Sequence, residues 1–144
     1  MLRFSFSLDD LPVELVDSET AAYYRLDGTL RLHQGNEVMF AEADVPVVEF
    51  AAWLCAWWTS HQPAKSYTPE GADPDYGPLL LLAPAGGARH TLTHTWGDTL
   101  INCTAEQASW HHAIARFCKD VRQAVWERYN LHLDRLLPPL QPSP

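Results

Sequence analysis

The amino-terminal part of the chain alternates between apolar and polar residues, which is the period of a β-strand with one face in a core. The dipeptide Asp27-Gly28 favours a two-residue hairpin turn, and Gly35-Asn36 offers a second turn. Together these signals predict an antiparallel meander. Its predicted strands are Leu2 to Leu8, Tyr23 to Leu26, Thr29 to His33 and Glu37 to Phe40.

At Asp44 the pattern changes to one of helical spacing. Asp44 is suited to cap a helix amino terminus, and Pro46 fits the first turn, where its missing N–H is not needed. We predict a helix from about Val45 to His61. Its apolar residues spread over most of the helix surface, so we expect it to be buried on most sides, in part by a partner.

The middle of the chain is predicted to be a long loop followed by more strands. The segment from Gln62 to Pro78 contains four Pro and two Gly, which is typical of an ordered loop or a flap. Turns are predicted at 83–87 and at Gly97-Asp98. The strands around them are Leu79 to Leu82, Arg89 to Trp96 and Thr99 to Cys103.

A second helix is predicted after these strands. Thr104 to Gln107 has the form of a capping box, and the helix would run to about Tyr129 and end at Asn130. Residues spaced by three or four form its apolar stripe, which we expect to dock on the sheet. The stripe consists of Trp110, Ile114, Phe117, Val121 and Val125.

The order of strands, helix, strands, helix predicts a single α+β domain over residues 1–137. We expect a mostly antiparallel sheet of about five to six strands covered by two main helices. The length of 144 residues and the 47% hydrophobic content suit one packed core. Residues 138–144 contain four Pro, so we predict a frayed tail there.

The charge balance bears on possible partners. Eighteen acidic and ten basic side chains give a net charge of -8, which repels nucleic acid and anionic membranes and attracts a basic protein. The three Cys form no C-x-x-C pair, and the amino terminus lacks the apolar core of a signal peptide. We therefore expect a cytoplasmic protein with no membrane association.

We predict no metal or cofactor. On one strand face, His90 and His94 would lie about 13 Å apart, too far to share an ion. His111 and His112 are adjacent on a helix and point about 100° apart.

No catalytic residue is predicted either, because neither a nucleophile elbow nor an S-x-x-K motif is present. Cys55 lies inside the apolar helix and Cys118 beside the buried stripe of the second helix, so both are interpreted as inert packing thiols. Glu49 and Asp44 form a candidate carboxylate pair, but carboxylates in a first helical turn are also favoured by the helix dipole, which is the interpretation we prefer.

The six Trp are more aromatic mass than a domain of this size needs inside. Trp and Tyr are enriched at binding hot spots, and an acidic rim around them suits a basic partner. The alternative is that these Trp complete the core and the loop is only solvated. The predicted partner-binding residues are Tyr67, Glu70, Asp73, Asp75, Tyr76 and Trp126.

With its helix PVVEFAAWLCAWW and its segment YGPLLLLAP, this acidic chain resembles small immunity proteins of bacterial polymorphic toxin systems and other small bacterial α+β proteins of unknown function. The resemblance implies a protein that neutralises a toxin by tight non-covalent binding, with acidic loops as the contact surface.

Three functional hypotheses follow. The leading one is a non-enzymatic binder, in its most concrete form an immunity-type inhibitor of a basic toxin. The second is a small-molecule-binding protein or enzyme with a pocket between sheet and helices, lined by Trp96, His90 and His94. The third is an oligomeric structural subunit, such as a homodimer formed through the apolar first helix.

Overall fold

The computed structural model describes residues 1–60, 64–97 and 100–140. This part of the chain contains two antiparallel sheets and three α-helices, together with short 3-10 helices at Val13–Leu15 and Pro74–Tyr76. The strands are β1 Leu2–Leu8, β2 Asp27–Gln34, β3 Glu37–Pro46, β4 Lys65–Tyr67, β5 Leu80–Pro84, β6 Arg89–His94 and β7 Ile101–Glu106. The helices are α1 Glu19–Arg25, α2 Val47–Ser60 and α3 Gln107–Tyr129.

The α+β class is confirmed, but the single sheet is a wrong prediction. The first sheet has the order β1-β2-β3, and the second has the order β4-β5-β6-β7. The predicted turn at Gly35-Asn36 does connect β2 to β3, with Gly35 at a φ of 61°. The fold therefore keeps the predicted hairpin at Gly35-Asn36, and the strands of the fold are divided between two antiparallel sheets that share one core.

The predicted strand from Tyr23 to Leu26 is instead the end of helix α1 and the residue that follows it. Ser18 caps this helix, because its side-chain oxygen accepts a hydrogen bond from the Ala21 N–H at 3.1 Å. Ala22 and Leu26 are one helical turn apart and are both fully buried. Helical spacing thus matches the burial of this segment better than strand alternation does.

The predicted turn at Asp27-Gly28 is also wrong, because both residues begin β2. Gly28 pairs with Leu8 on one side and with Val45 on the other. A Cβ atom at Gly28 would collide with the carbonyl oxygen of Ser7. Glycine is required here for the close approach of two strands, rather than for a turn.

We predict that Gly28→Ala lowers the free energy of unfolding by about 1 to 3 kcal/mol, because the backbone of β1 must move away from the new methyl group. Urea unfolding measures the loss. Gly71→Ala is the control: a Cβ there meets no atom, so only backbone strain is added and the loss is smaller. A larger loss for Gly71→Ala would contradict the close-approach explanation.

Asp44 does not cap the long apolar helix. It lies in β3 with a φ of 58°, and α2 begins three residues later at Val47. Gly28 pairs with Val45 while Leu30 pairs with Glu42, so β3 carries one extra residue at this point. Asp44 is therefore part of a β-bulge, and Asp readily adopts the left-handed conformation found there.

The predicted capping box at Thr104 to Gln107 is wrong for a related reason. β7 continues to Glu106, and the Thr104 hydroxyl lies 2.6 Å from that of Thr91 across the β6–β7 pair. The other end of α3 is confirmed, because Asn130 adopts the left-handed conformation that closes the helix. The predicted stripe of α3 is fully or almost fully buried.

The apolar helix α2 is covered within the chain. Its buried residues lie against α3 and both sheets, and Phe50 and Leu54 are among the largest buried side chains. The segment after α3 adds Leu133 and Leu137 to the same core. The remaining apolar residues of α2, Ala52, Trp53, Ala56 and Trp58, are half-buried.

Five predicted features lie wholly or partly outside the described residues: the helix end at His61, the start of the segment from Gln62, the turn at Gly97-Asp98, the start of the strand from Thr99, and the tail from 138 to 144. Of the tail, Leu140 is half-buried and packs against the core. The described part of the predicted loop, residues 64–78, is more regular than a loop, since it contains β4 and the 3-10 helix Pro74–Tyr76.

Candidate functional site

A surface cleft of about 400 Å³ opens between α1, α2 and β4. Its volume falls in the range of ligand-binding pockets. We call it the α2–β4 cleft. The lining residues that matter for its chemistry are Tyr23, Glu49, Trp53, Ser66, Tyr67 and Glu70.

Glu49 is the acidic group of this cleft and is only 7% exposed. Its Oε1 accepts a hydrogen bond from the Tyr67 hydroxyl at 3.0 Å and another from the Glu70 backbone N–H at 3.1 Å. Among the described residues, none donates a hydrogen bond to Oε2. Since Glu49 lines the cleft, this second carboxylate oxygen is available to a donor from outside the chain.

The electrostatic environment of Glu49 is unfavourable for its charge. Burial is the main cause that raises the pKa of Glu49; the two hydrogen bonds oppose the shift, and the charges of Glu70 and Asp27 add to it. No ion pair among the described residues includes Glu49 or Glu70. A cation in the cleft would therefore stabilise the ionised form of Glu49.

The neighbouring phenols respond to the same field. Burial and the charge of Glu49 raise the pKa of Tyr67 far above neutrality, and the same two causes raise the pKa of Tyr23. The Tyr67 hydroxyl accordingly keeps its proton and remains a hydrogen-bond donor to Glu49.

The aromatic wall of the cleft is held in place before any ligand arrives. The Trp53 indole N–H donates to the Ser66 carbonyl oxygen at 2.9 Å. Its ring stacks on that of Phe50 with centroids 5.8 Å apart, and the Tyr67 ring lies 5.4 Å away. Aromatic faces beside a carboxylate form a suitable site for an ammonium or guanidinium group.

The structure places two of the predicted partner-binding residues, Tyr67 and Glu70, in this cleft. Tyr67 is 2% exposed, so its side chain orients Glu49 rather than presenting a surface to a partner. Asp73, Asp75 and Tyr76 lie further along the same segment and are exposed, Tyr76 to 72%. The Asp73 side chain accepts a hydrogen bond from the Asp75 N–H and so stabilises this turn.

Trp126 is not brought into the cleft. It is 44% exposed, stacks on His132 with ring centroids 4.4 Å apart, and lines a separate depression together with Lys119 and Arg122. Its surroundings are therefore partly basic, unlike the acidic rim that the sequence suggested.

Sequence reasoning missed Glu49, Trp53 and Tyr23 as parts of one site. Glu49 had been explained by the helix dipole and paired with Asp44, which the structure places in an exposed bulge. One signal was available: Glu49 is the only charged residue in α2. Burying a charged carboxylate costs free energy unless it has hydrogen-bonding or ionic partners. A single carboxylate in such an apolar helix therefore indicates a site where partners are needed.

The alternative pocket residues have separate neighbours. His90 packs edge-on against Trp57, with ring centroids 5.2 Å apart, and His94 stacks on Phe40 at 4.7 Å. The Trp96 indole N–H donates to the Gly77 carbonyl oxygen. Each of the three predicted side chains is thus packed against a different partner.

Within the described residues, no group of three or more His, Cys, Asp or Glu side chains is placed to hold a metal ion. No helix in that part of the chain has the length and apolar character needed to cross a membrane.

The fold and the cleft define an α+β domain with a buried carboxylate at an aromatic surface site. Residues 4–127 match the model of the family described as "Domain of unknown function (DUF7878)", and the chain belongs to that family. No curated protein and no solved structure matches the chain.

Proposed function

We propose that this protein is a non-enzymatic binding domain whose α2–β4 cleft receives a positively charged side chain of a basic protein partner. The observation that carries the proposal is Glu49, a buried carboxylate with one oxygen that accepts no hydrogen bond from the described residues and with no ion-pair partner among them. An immunity-type inhibitor that neutralises a basic toxin in the bacterial cytoplasm is the concrete form of this function.

The chemistry of the cleft suits a Lys or Arg side chain. The cation donates to Oε2 of Glu49, while the Trp53 ring offers an aromatic face beside it. Hydrogen bonds to charged groups contribute about 1.5 to 3 kcal/mol, and a desolvated cation–π contact contributes about 2 kcal/mol. A single basic side chain in this cleft therefore meets the energetic standard of a binding hot spot.

The exposed acidic residues next to the cleft extend the complementary surface. Glu70, Asp73 and Asp75 follow one another along the same segment, and Tyr76 lies beside them. With a net charge of -8, the protein attracts a basic partner over a distance and repels nucleic acid. Rim charges of this kind act on the association rate, which makes binding weaker at high salt.

One observation favours a second candidate, a small organic cation as the ligand. The cleft volume of about 400 Å³ is large enough for a whole small molecule. The same carboxylate and aromatic groups would bind it. The surface beyond the cleft separates the two candidates, since only a protein would also contact Asp73, Asp75 and Tyr76.

The test is a titration of the protein with N-acetyl-arginine methylamide, followed by tryptophan fluorescence because Trp53 lines the cleft. The matched control ligand carries citrulline, which has nearly the same shape without the charge. We expect saturable binding of the arginine compound, weakened by salt, and no binding of the citrulline compound. Equal binding of both, or of neither, would contradict a cation site.

The partner itself is sought by affinity capture from a bacterial lysate at low and high salt. Wild-type protein and Glu49→Gln serve as paired baits. We expect a basic protein that the wild type retains at low salt, that high salt weakens, and that the variant does not retain. If both baits capture the same protein equally well, partner binding does not depend on Glu49, and the role of this cleft is contradicted.

A further inference from the structure

The contact between α2 and α3 contains two cysteines that the proposed function does not use. Cys55 of α2 and Cys118 of α3 are 63 residues apart in the chain, yet their Sγ atoms are hydrogen-bonded at 3.2 Å. Both side chains are buried and neither is in a disulfide. The sequence presents them as two separate packing thiols, and only the fold makes them a pair.

The geometry is close to that of a disulfide. The two sulfur atoms of a disulfide lie about 2.05 Å apart, so these Sγ atoms have to approach by about 1.2 Å. The Cys118 thiol also lies 3.7 Å from the Ala51 carbonyl oxygen, within the same helix pair. Rotation of the two side chains is the movement that would close this gap.

The two thiols differ in acidity in the way that a thiol pair requires. The hydrogen bond between the two thiols is the main cause that lowers the pKa of Cys55; burial opposes this shift, and the charge of Arg122 adds to it. The same bond and burial raise the pKa of Cys118. These directions favour Cys55 over Cys118 as the nucleophile.

Access also favours Cys55, which is 4% exposed while Cys118 is 0% exposed. An oxidant must be close to water in size to reach such a sulfur without unfolding the helices. Hydrogen peroxide meets this condition, whereas a peptide disulfide does not.

We propose that Cys55 and Cys118 are an oxidisable dithiol, which hydrogen peroxide converts into a disulfide that ties α2 to α3. Sγ of Cys55 attacks one peroxide oxygen, the O–O bond breaks, and water leaves with the thiol proton, which produces a sulfenic acid. Sγ of Cys118 then attacks that sulfur, the S–S bond forms, and the departing hydroxide takes the Cys118 proton. Two thiols lose two electrons and two protons, and one peroxide becomes two waters.

The bond has a consequence for stability and for the site. It closes a long loop, so it restricts the unfolded chain and raises the melting temperature. It also anchors α2, the helix that carries Glu49 and Trp53, to α3. The proposal stands whether or not the cleft binds a cation, because it depends only on the two sulfurs.

The test treats folded wild-type protein with hydrogen peroxide, blocks the remaining thiols by alkylation, and analyses a non-reduced tryptic digest by mass spectrometry. Trypsin separates the three cysteines, because Cys55 lies in peptide 32–65, Cys118 in 117–119 and Cys103 in 90–116. We expect peptide 32–65 linked to 117–119, with the mass of two hydrogen atoms lost. The oxidised protein should melt about 5 to 10 °C higher, and a reductant should reverse this.

Cys103→Ser is the matched control, because Cys103 is a buried thiol on β7 outside the pair. We expect this variant to form the same link, while Cys55→Ser forms none and gains no thermal stability from peroxide. The proposal is overturned if the folded wild type gives no link between 32–65 and 117–119. It is also overturned if that link appears only after unfolding in urea, or if Cys103 is the residue that becomes linked.

Discussion

Phe50→Ala is expected to lower the free energy of unfolding by about 3 to 5 kcal/mol, the usual range for removing a buried aromatic ring. Phe50 is fully buried in α2. Its ring contacts those of Phe4 and Phe117 at 5.7 Å and that of Tyr67 at 5.0 Å. These residues belong to β1, α3 and β4, so the cavity would open where both sheets and two helices meet.

The loss is large compared with the stability of a domain of this size, which is about 5 to 15 kcal/mol. Urea unfolding followed by far-ultraviolet circular dichroism measures it. Tyr76→Ala is the control, because it removes an aromatic ring that is exposed; we expect a change within about 0.5 kcal/mol. A loss below about 1 kcal/mol for Phe50→Ala would show that the ring is not the centre of the core.

Glu49→Gln is expected to change binding and stability in opposite directions. Gln retains an oxygen that can accept the hydrogen bonds from the Tyr67 hydroxyl and the Glu70 N–H, but it has no charge. Affinity for N-acetyl-arginine methylamide should fall about 10- to 100-fold, which corresponds to the loss of one hydrogen bond between charged groups. Stability at neutral pH should rise, because a buried charge without a cation is removed.

The pH dependence follows from the direction of the pKa shift. Burial raises the pKa of Glu49 in the folded protein, so the folded state holds this proton more tightly than the unfolded state does. The stabilisation by protonated Glu49 is complete below the unfolded pKa and is lost as the pH rises through the folded pKa. The difference in folding stability between Glu49→Gln and the wild type should therefore be largest near neutrality and should shrink towards about pH 4.

Thermal unfolding of both proteins over this pH range measures the effect. Glu70→Gln is the control, because Glu70 lines the same cleft but is exposed. We expect it to weaken arginine binding less than Glu49→Gln and to leave stability within about 0.5 kcal/mol. If Glu49→Gln is the less stable protein at every pH, Glu49 has a structural role, and the cation site loses its main support.

Local periodicity was sufficient for the elements whose burial follows one simple pattern. The stripe of α3, the apolar helix α2 and the hairpin at Gly35-Asn36 were all predicted from spacing and turn residues alone. Side chains three or four residues apart share a helix face independently of the rest of the chain, so such patterns can be recognised without knowledge of the tertiary structure.

The hydrophobic pattern was insufficient where one segment of sequence is compatible with two kinds of secondary structure. Tyr23 to Leu26 suits a strand or a helix, and the helix forms because Ser18 caps it and Ala22 and Leu26 both point to the core. Asp44 and Thr104 have cap chemistry, but Thr104 pairs with Thr91 of β6, and Asp44 lies in the β-bulge between the paired residues Glu42 and Val45. Strand pairing that spans many residues overrides a cap preference that contributes only about 1 kcal/mol.

By itself, the sequence determined which chemical groups are present: an excess of acidic side chains, an apolar helix with one carboxylate, and three thiols. Tertiary structure alone decided which of these groups meet. Tyr67 and the backbone of Glu70 are about twenty residues from Glu49 in the sequence, and both are hydrogen-bonded to it. Cys118 is 63 residues from Cys55, and their Sγ atoms are in contact. Such contacts depend on how sheets and helices pack across the whole chain, and no local period encodes that packing.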